Sequence, residues 1–338
     1  MTNLLNSLFV TTEGAGVHVE GTSLRVVVDK QTKMQVPLHH LASLVCFAKV
    51  YVSPDAMAAC AEAGTAVVFL GWNGRYLARV EGRDARSAVL RREQYRAADD
   101  ASRTLALARG FVGGKVANAR TALRRAARTR EQASETIDAA ADRLARLVNV
   151  VVDAETLDVL RGFEGEAASR YFDVLDAMIA MDGMRFEKRT RRPPSDPVNA
   201  MLSFGYSLLS ADCQSAAQAA GLDPAVGFLH VERSGRPALA LDLMEELRPV
   251  VVDRLVVSSV RLGQFGPADF EMLPTGECRF RDAARKRFIV EYQQRKRDPI
   301  AHPLAADPVP WVMVPLIQAR LLARAIRREV EYVPFLVK

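Results

Sequence analysis

The feature that most limits what this 338-residue chain can fold into is a change of rhythm near residue 82. Before it, short β-branched segments alternate with turn signals: Leu4–Thr11, His18–Val19, Leu24–Val28, Met34–Val36, Leu44–Phe47 and Val50–Val52 are separated by Glu13-Gly14-Ala15-Gly16, Glu20-Gly21 and Asp29-Lys30. Ser53-Pro54-Asp55 reads as an N-cap followed by proline at the first helical position, with a helix to Ala63 ended by Gly64. Thr65–Leu70 and Arg75–Val80 flank Trp72-Asn73-Gly74, a hairpin signal. After Glu81-Gly82-Arg83, alanine, arginine and leucine recur at helical spacing, and the texture stays helical beyond residue 150. The expectation is an α+β chain: residues 1–82 form a small β-rich domain and residues 83–338 a larger, all-helical one.

Gly110, Gly113 and Gly114 are expected to interrupt the first helical stretch, leaving Arg120, Arg124, Arg125, Arg128 and Arg130 along a second, solvated helix. Pro193-Pro194-Ser195-Asp196-Pro197 predicts a loop. The four cysteines form no CxxC pair, which argues against a zinc ribbon or a disulfide framework. The N-terminus lacks a basic signal-peptide head, and no apolar run is long enough for a membrane span, so a cytoplasmic protein is expected. A formal net charge of +6 permits an anionic partner without demanding one.

Three polar intrusions stand out. Glu164 shares a helical face with Leu160, Ala167 and Tyr171, while Glu166 points away, toward solvent. A carboxylate on an apolar face needs an arginine or a metal to offset its burial, and both readings are open. Gly162 and Gly165 beside it would admit another backbone or a substrate. Asn199 shares a face with Leu202 and Tyr206, and either caps its helix or supports a site. His230 follows an apolar Gly227-Phe228-Leu229 and precedes a helix carrying Asp242, Glu245 and Glu246 on one face, opposite Leu243, Leu247 and Val250. Like charges at that spacing repel, and a divalent cation would relieve them. Oxygen-rich ligands with one imidazole suit Mg²⁺ or Mn²⁺ better than zinc.

Taken in order, Gly162-Phe163-Glu164-Gly165, Asp196-Pro197-Val198-Asn199 with Leu202-Ser203-Phe204-Gly205-Tyr206, Gly227-Phe228-Leu229-His230 and Leu241-Asp242-Leu243-Met244-Glu245-Glu246-Leu247-Arg248-Pro249 resemble the CRISPR adaptation integrase, the first CRISPR-associated protein of the spacer-acquisition pair. The resemblance spans essentially the whole chain, and some texture is similar to members of the I-C subtype. It implies a metal-dependent DNA endonuclease and integrase that inserts protospacer DNA into a CRISPR repeat array by attack of a 3′-hydroxyl on a phosphodiester. Glu164, His230 and Asp242 would be catalytic and hold the ion, with Glu245 a further ligand and Asn199 and Tyr206 in support. The implied partners are DNA, a second copy of the chain joined through the β-rich domain, the second adaptation protein and an iron–sulfur adaptation nuclease. Lys188, Arg191, Arg192, Arg248, Arg285, Lys286 and Arg287 are candidate DNA contacts, those of 279–297 forming a basic surface. Two alternatives remain: a metal-dependent nuclease on branched or linear DNA outside CRISPR adaptation, and a non-catalytic DNA-binding scaffold.

Overall fold

A computed structural model of the chain describes residues 6–47, 49–71, 76–80, 88–129, 133–191, 193–305 and 307–337. It divides into two compact units, Met1–Ser87 and Ala88–Lys338. The boundary expected after Gly82 and the Asn73-Gly74 turn both lie outside the described residues.

The first unit holds β1 (Asn6–Val10), β2 (Gly16–Glu20), β3 (Ser23–Val28), β4 (Gln31–Pro37), β5 (Leu41–Phe47), β6 (Tyr51–Val52), α1 (Pro54–Glu62), β7 (Ala66–Leu70) and β8 (Tyr76–Val80). These make two four-stranded sheets, ordered β1-β5-β7-β8 and β4-β3-β2-β6. In the first sheet β5 pairs parallel with β1 and β7, and β8 closes the edge antiparallel. In the second, β2, β3 and β4 form an antiparallel meander with β6 added parallel to β2. Ser53 caps α1, its hydroxyl accepting from Ala56 N at 3.2 Å, and Gly64 takes φ +73° just past the helix. α1 packs on β2 and β7, one strand of each sheet. Leu8, Val17, Leu24, Leu44, Ala56 and Val67 meet in the resulting core.

The second unit contains α2 (Ala88–Asp99), α3 (Ala101–Ala127), α4 (Ser134–Val151), α5 (Leu157–Asp173), α6 (Leu175–Ile179), α7 (Pro197–Ala219) and α8 (Ala238–Glu245). A π-helical turn, Pro249–Asp253, leads into α9 (Arg254–Arg261). Then follow β9 (Phe270–Met272), β10 (Cys278–Phe280), α10 (Asp282–Arg295), β11 (Pro299–Ile300), β12 (Val309–Pro310) and α11 (Val314–Ile326). β9 with β10 and β11 with β12 form two short antiparallel pairs within this helical unit.

The glycines of α3 do not interrupt it, contrary to expectation: the helix runs unbroken for 27 residues from its Asp100 cap. Glycine costs a helix about 1 kcal/mol relative to alanine, so packing must offset it. A Cβ at Gly110 would stand 2.8 Å from the Tyr332 ring, and one at Gly114 would stand 2.8 Å from Pro334 and 3.0 Å from Glu246. The glycines therefore let the C-terminal segment 331–337 and α8 approach the α3 backbone. Asn118, one turn beyond Gly114, holds that segment: it donates to Phe335 O at 2.8 Å and accepts from Val337 N at 2.9 Å.

Candidate active site

The site forms where α3, α5, α8 and the segment before α8 converge. Gln94 of α2, fully buried, braces that segment by donating to Asp223 O and Val226 O, each at 2.8 Å, and accepting from Asp223 N at 2.8 Å. From α5, Arg161 reaches across to Leu229 O at 2.9 Å. Gly227 lies so close to α8 that a Cβ would fall 2.8 Å from the Asp242 carboxylate and 2.9 Å from the Ala238 backbone. His230 is thereby delivered beside α8, half-buried, with the exposed residues 231–235 directly after it.

The three acidic residues of this helix end lie within one turn, and Asp242 and Glu245 both face His230, but each has a different principal partner. α8 and its continuation are buried nearly all round, so each carboxylate meets a different neighbour. Asp242 turns to the preceding segment. One oxygen accepts from Phe228 N at 2.6 Å and Leu229 N at 3.1 Å, the other from His230 N at 3.0 Å and His230 Nδ1 at 2.7 Å. With both oxygens committed to N–H donors, Asp242 orients the imidazole through Nδ1 and turns Nε2 away from itself. Nε2 faces Glu245 Oε1 at 3.8 Å.

Glu245 turns to cations. Its Oε2 lies 2.6 Å from Lys115 Nζ and its Oε1 3.0 Å from Arg248. Burial pushes this carboxyl up, but Arg248, Lys115 and His230 outweigh it and hold the group well below the usual glutamate range. The same Lys115 ammonium is paired with Glu164 of α5, so one lysine joins carboxylates from two helices. Among the described residues, no three His, Cys, Asp or Glu side chains close on a common point as they stand. The space where Glu164 and Glu245 approach each other holds the ammonium.

Glu246 belongs to a third environment. It accepts from Gln318 Nε2 at 2.9 Å, Tyr332 Oη at 2.8 Å and Phe335 N at 2.7 Å, and burial pushes its carboxyl up to about 7. It ties α8 to α11 and the C-terminal segment.

Tyr206 stands behind Arg248, its ring centroid 4.8 Å from the guanidinium, and its hydroxyl donates to Asp253. Burial pushes the Asp253 carboxyl up to about 6, against the lowering effect of Tyr206 and Arg248. Asn199 does not cap α7; Asp196 does, accepting from Asn199 N at 2.8 Å. The Asn199 side chain instead accepts from Arg189 at 2.7 Å and Thr190 N at 2.9 Å and donates to Lys188 O at 2.8 Å. It thus fixes the segment 188–190 and, through it, Arg189, which lies 5.5 Å from the Tyr206 ring.

Some expectations hold and others change. Glu166 is partly exposed, as expected, and pairs there with Arg143 of α4, its oxygen accepting from Arg143 Nε at 2.6 Å. Gly162 and Gly165 face open space rather than a neighbouring backbone. Of the basic residues over 279–297, Arg281, Lys286, Arg287 and Arg297 are exposed and Arg285 and Lys296 are buried, and several are paired with carboxylates. Arg279 pairs with Glu271, Arg287 with Asp269 at 2.8 Å, Arg295 with Asp298 at 2.7 Å and Lys296 with Asp212 at 2.8 Å. Arg285 is buried against Asp282 at 3.2 Å, because it faces inward on α10 with Phe288 and Ile289. Lys188, Arg191 and Lys286 are exposed, Arg248 is mostly covered, and Arg192 lies outside the described residues.

Comparison with known proteins decides the lineage. The family model "CRISPR associated protein Cas1" matches residues 8–294. A CRISPR-associated endonuclease Cas1 of Chlorobaculum tepidum is 44% identical over 98% of each chain, and one of Rhodospirillum rubrum is 45% identical over 99% of this chain and 98% of its own. The chain belongs to the Cas1 family. A Cas4 exonuclease/Cas1 endonuclease fusion of Rhodospirillum rubrum is 36% identical over 97% of this chain and 57% of its own. The Cas1 fold is also shared with solved structures. They are a Cas1 protein from Thermotoga maritima (TM-score 0.83, 22% identity, 97% and 99% coverage), a casposase bound to its integration product (0.82, 22%, 98% and 93%) and a chain of a Cas6-RT-Cas1–Cas2 complex (0.82, 24%, 98% and 36%).

The residue that inspection of the sequence does not single out is Lys115. Its signal is present but faint: one lysine in an arginine-dominated stretch, directly after Gly113-Gly114. Tyr332 and Gln318 are missed because their partner Glu246 lies far along the chain.

Proposed function

We propose that this Cas1 family member is a divalent-metal-dependent DNA endonuclease and integrase of CRISPR adaptation, joining a 3′-hydroxyl end of incoming DNA to a phosphodiester of the repeat array. The observation that carries the reading is the approach of Glu164 and Glu245, from α5 and α8, to one shared cation, with Nε2 of His230 facing Glu245. Two carboxylates and one imidazole are a donor set suited to Mg²⁺ or Mn²⁺. Glu164, His230 and Glu245 would hold the ion, which would stabilise charge on the phosphate oxygens and lower the pKa of the attacking hydroxyl. Asp242, expected from the resemblance as a direct ligand, is assigned here to orienting His230, since both its oxygens are occupied. Arg248 balances Glu245 while Tyr206 keeps the guanidinium in place.

Exposed Lys188, Arg191 and Lys286 are proposed to contact DNA phosphates. The Cas2-containing complex and the Cas4 fusion among the relatives support assembly with a Cas2-type protein and a Cas4-type nuclease. β4, at an edge of its sheet with exposed side chains, offers the β-rich unit a surface for pairing with a second copy. Among the described residues no helix is long and apolar enough to cross a membrane.

The test is strand transfer of a labelled duplex with 3′-hydroxyl ends into a repeat-bearing plasmid, with Mn²⁺ or with EDTA. Glu164→Ala is expected to lose transfer and keep its melting temperature. Full transfer by that variant, or transfer undiminished in EDTA, refutes the reading; metal-dependent cleavage without joining assigns the site to a nuclease outside adaptation.

A further inference from the structure

Lys115 is placed unlike an ordinary surface ion-pair lysine. Its stem rises from α3 beside Gly113 and Gly114, and its side chain is only 12% exposed. Its ammonium touches Glu164 of α5 and Glu245 of α8 at once, Glu245 being 2% exposed and also paired with Arg248. An ammonium in contact with two carboxylates keeps them within about 6 Å of each other, roughly twice a hydrogen-bond length. Without it, two anionic groups on separate helices would face each other beside a third, Asp242, two of the three fully covered.

We infer that Lys115 is a positioning residue that holds Glu164 and Glu245 together in the metal-free protein and gives up that place when a divalent cation binds. The inference rests on the metal-binding reading of these carboxylates. Glu164, Asp242 and Glu245, set against Lys115 and Arg248, leave one net negative charge when all are ionised. A divalent ion added beside an undisplaced ammonium would reverse that sign at close range, and like charges so near repel strongly. Arg248 is confined by Tyr206 and Glu245. Lys115, on a flexible four-carbon stem, is the cation that can leave. The lysine thus serves two ends: it keeps the carboxylates from driving their helices apart, and it sets a threshold that a metal ion must exceed.

The experiment measures Mn²⁺ binding to the full-length chain by electron paramagnetic resonance titration, without DNA, for the unaltered protein and for Lys115→Met. Removing one screened like charge a few ångströms from the ion is expected to tighten Mn²⁺ binding about tenfold. Equal or weaker binding by Lys115→Met overturns the inference. A second measurement needs no variant: acetylation of Lys115 by an amine reagent, read by peptide mass spectrometry against the exposed Lys49 as internal standard. Acetylation of Lys115 is expected to speed up several-fold on adding Mn²⁺, as the ammonium leaves its carboxylates; an unchanged or slower rate overturns the inference. Mn²⁺ bound equally by both proteins removes the role given to Lys115 and leaves the metal site standing. Mn²⁺ bound by neither removes both.

Discussion

Replacing Glu246 by glutamine removes one titrating proton from the interior while keeping the volume and shape of the side chain. Glu246 accepts three hydrogen bonds, yet burial still pushes its carboxyl from 4.5 up to about 7. An unfolded chain releases this proton near pH 4.5, while the folded chain keeps it until about pH 7. Between those values the unfolded state is progressively favoured. The contribution of Glu246 to stability is therefore fully present below pH 4.5, falls as pH rises through the window, and is level above it. A gap of about 2.5 pH units, at about 1.36 kcal/mol per unit, makes the loss about 3 kcal/mol. Other groups titrate in the same range, Asp253 near 6 among them, so the curve of the unaltered protein alone is a composite. The difference between the unaltered protein and Glu246→Gln isolates the one carboxyl. Urea unfolding of both at half-unit steps from pH 4.5 to 8 should show the glutamine variant gaining about 3 kcal/mol relative to the parent across that window. A difference that stays constant with pH would mean that Glu246 is already ionised in the folded protein at pH 5, and would refute the reasoning.

Three other outcomes follow from the same contacts. Asp242→Asn must turn its amide N–H toward two N–H donors whichever way it is placed, so it should lower stability by about 3 kcal/mol in urea unfolding; a loss under about 1 kcal/mol would show that this side chain does not hold the 228–230 segment. Gly114→Ala puts a methyl group 2.8 Å from Pro334 and 3.0 Å from Glu246, and should cost about 1–3 kcal/mol and raise hydrogen exchange at Phe335 and Val337, which mass spectrometry can follow. Lys286→Ala should flatten the salt dependence of DNA binding by about one unit of slope while leaving the melting temperature unchanged, whereas Arg285→Ala, truncating a buried side chain, should lower the melting temperature; the reverse pattern would reassign the DNA-facing side of α10.

Much of the architecture is legible in the residues themselves. The turn signals and β-branched runs mark the strands of the first unit, Ser53-Pro54 marks the start of α1, and the run of motifs from Glu164 to Pro249 carries the family. Those features depend on neighbours a few positions away, where periodicity and capping chemistry act. The glycines of α3 were misread for a related reason. Their cost is local and visible, while the packing that offsets it comes from Tyr332 and Pro334, more than two hundred residues later.

The site divides along the same line. Glu164, His230, Asp242 and Glu245 are legible as candidates in the sequence, because residue type and motif order survive without coordinates. Which way each carboxylate turns is not. Helical spacing puts Asp242, Glu245 and Glu246 within a turn of one another and suggests mutual repulsion, but a helix buried nearly all round lets each find its own partner: the 228–230 segment, Lys115 with Arg248, and the C-terminal segment. The ammonium joining Glu164 to Glu245 comes from α3, 49 residues before Glu164 in the chain. Charge alone required that a cation be there; only the packing of three helices decided that it is a lysine, and that Asp242 serves the imidazole.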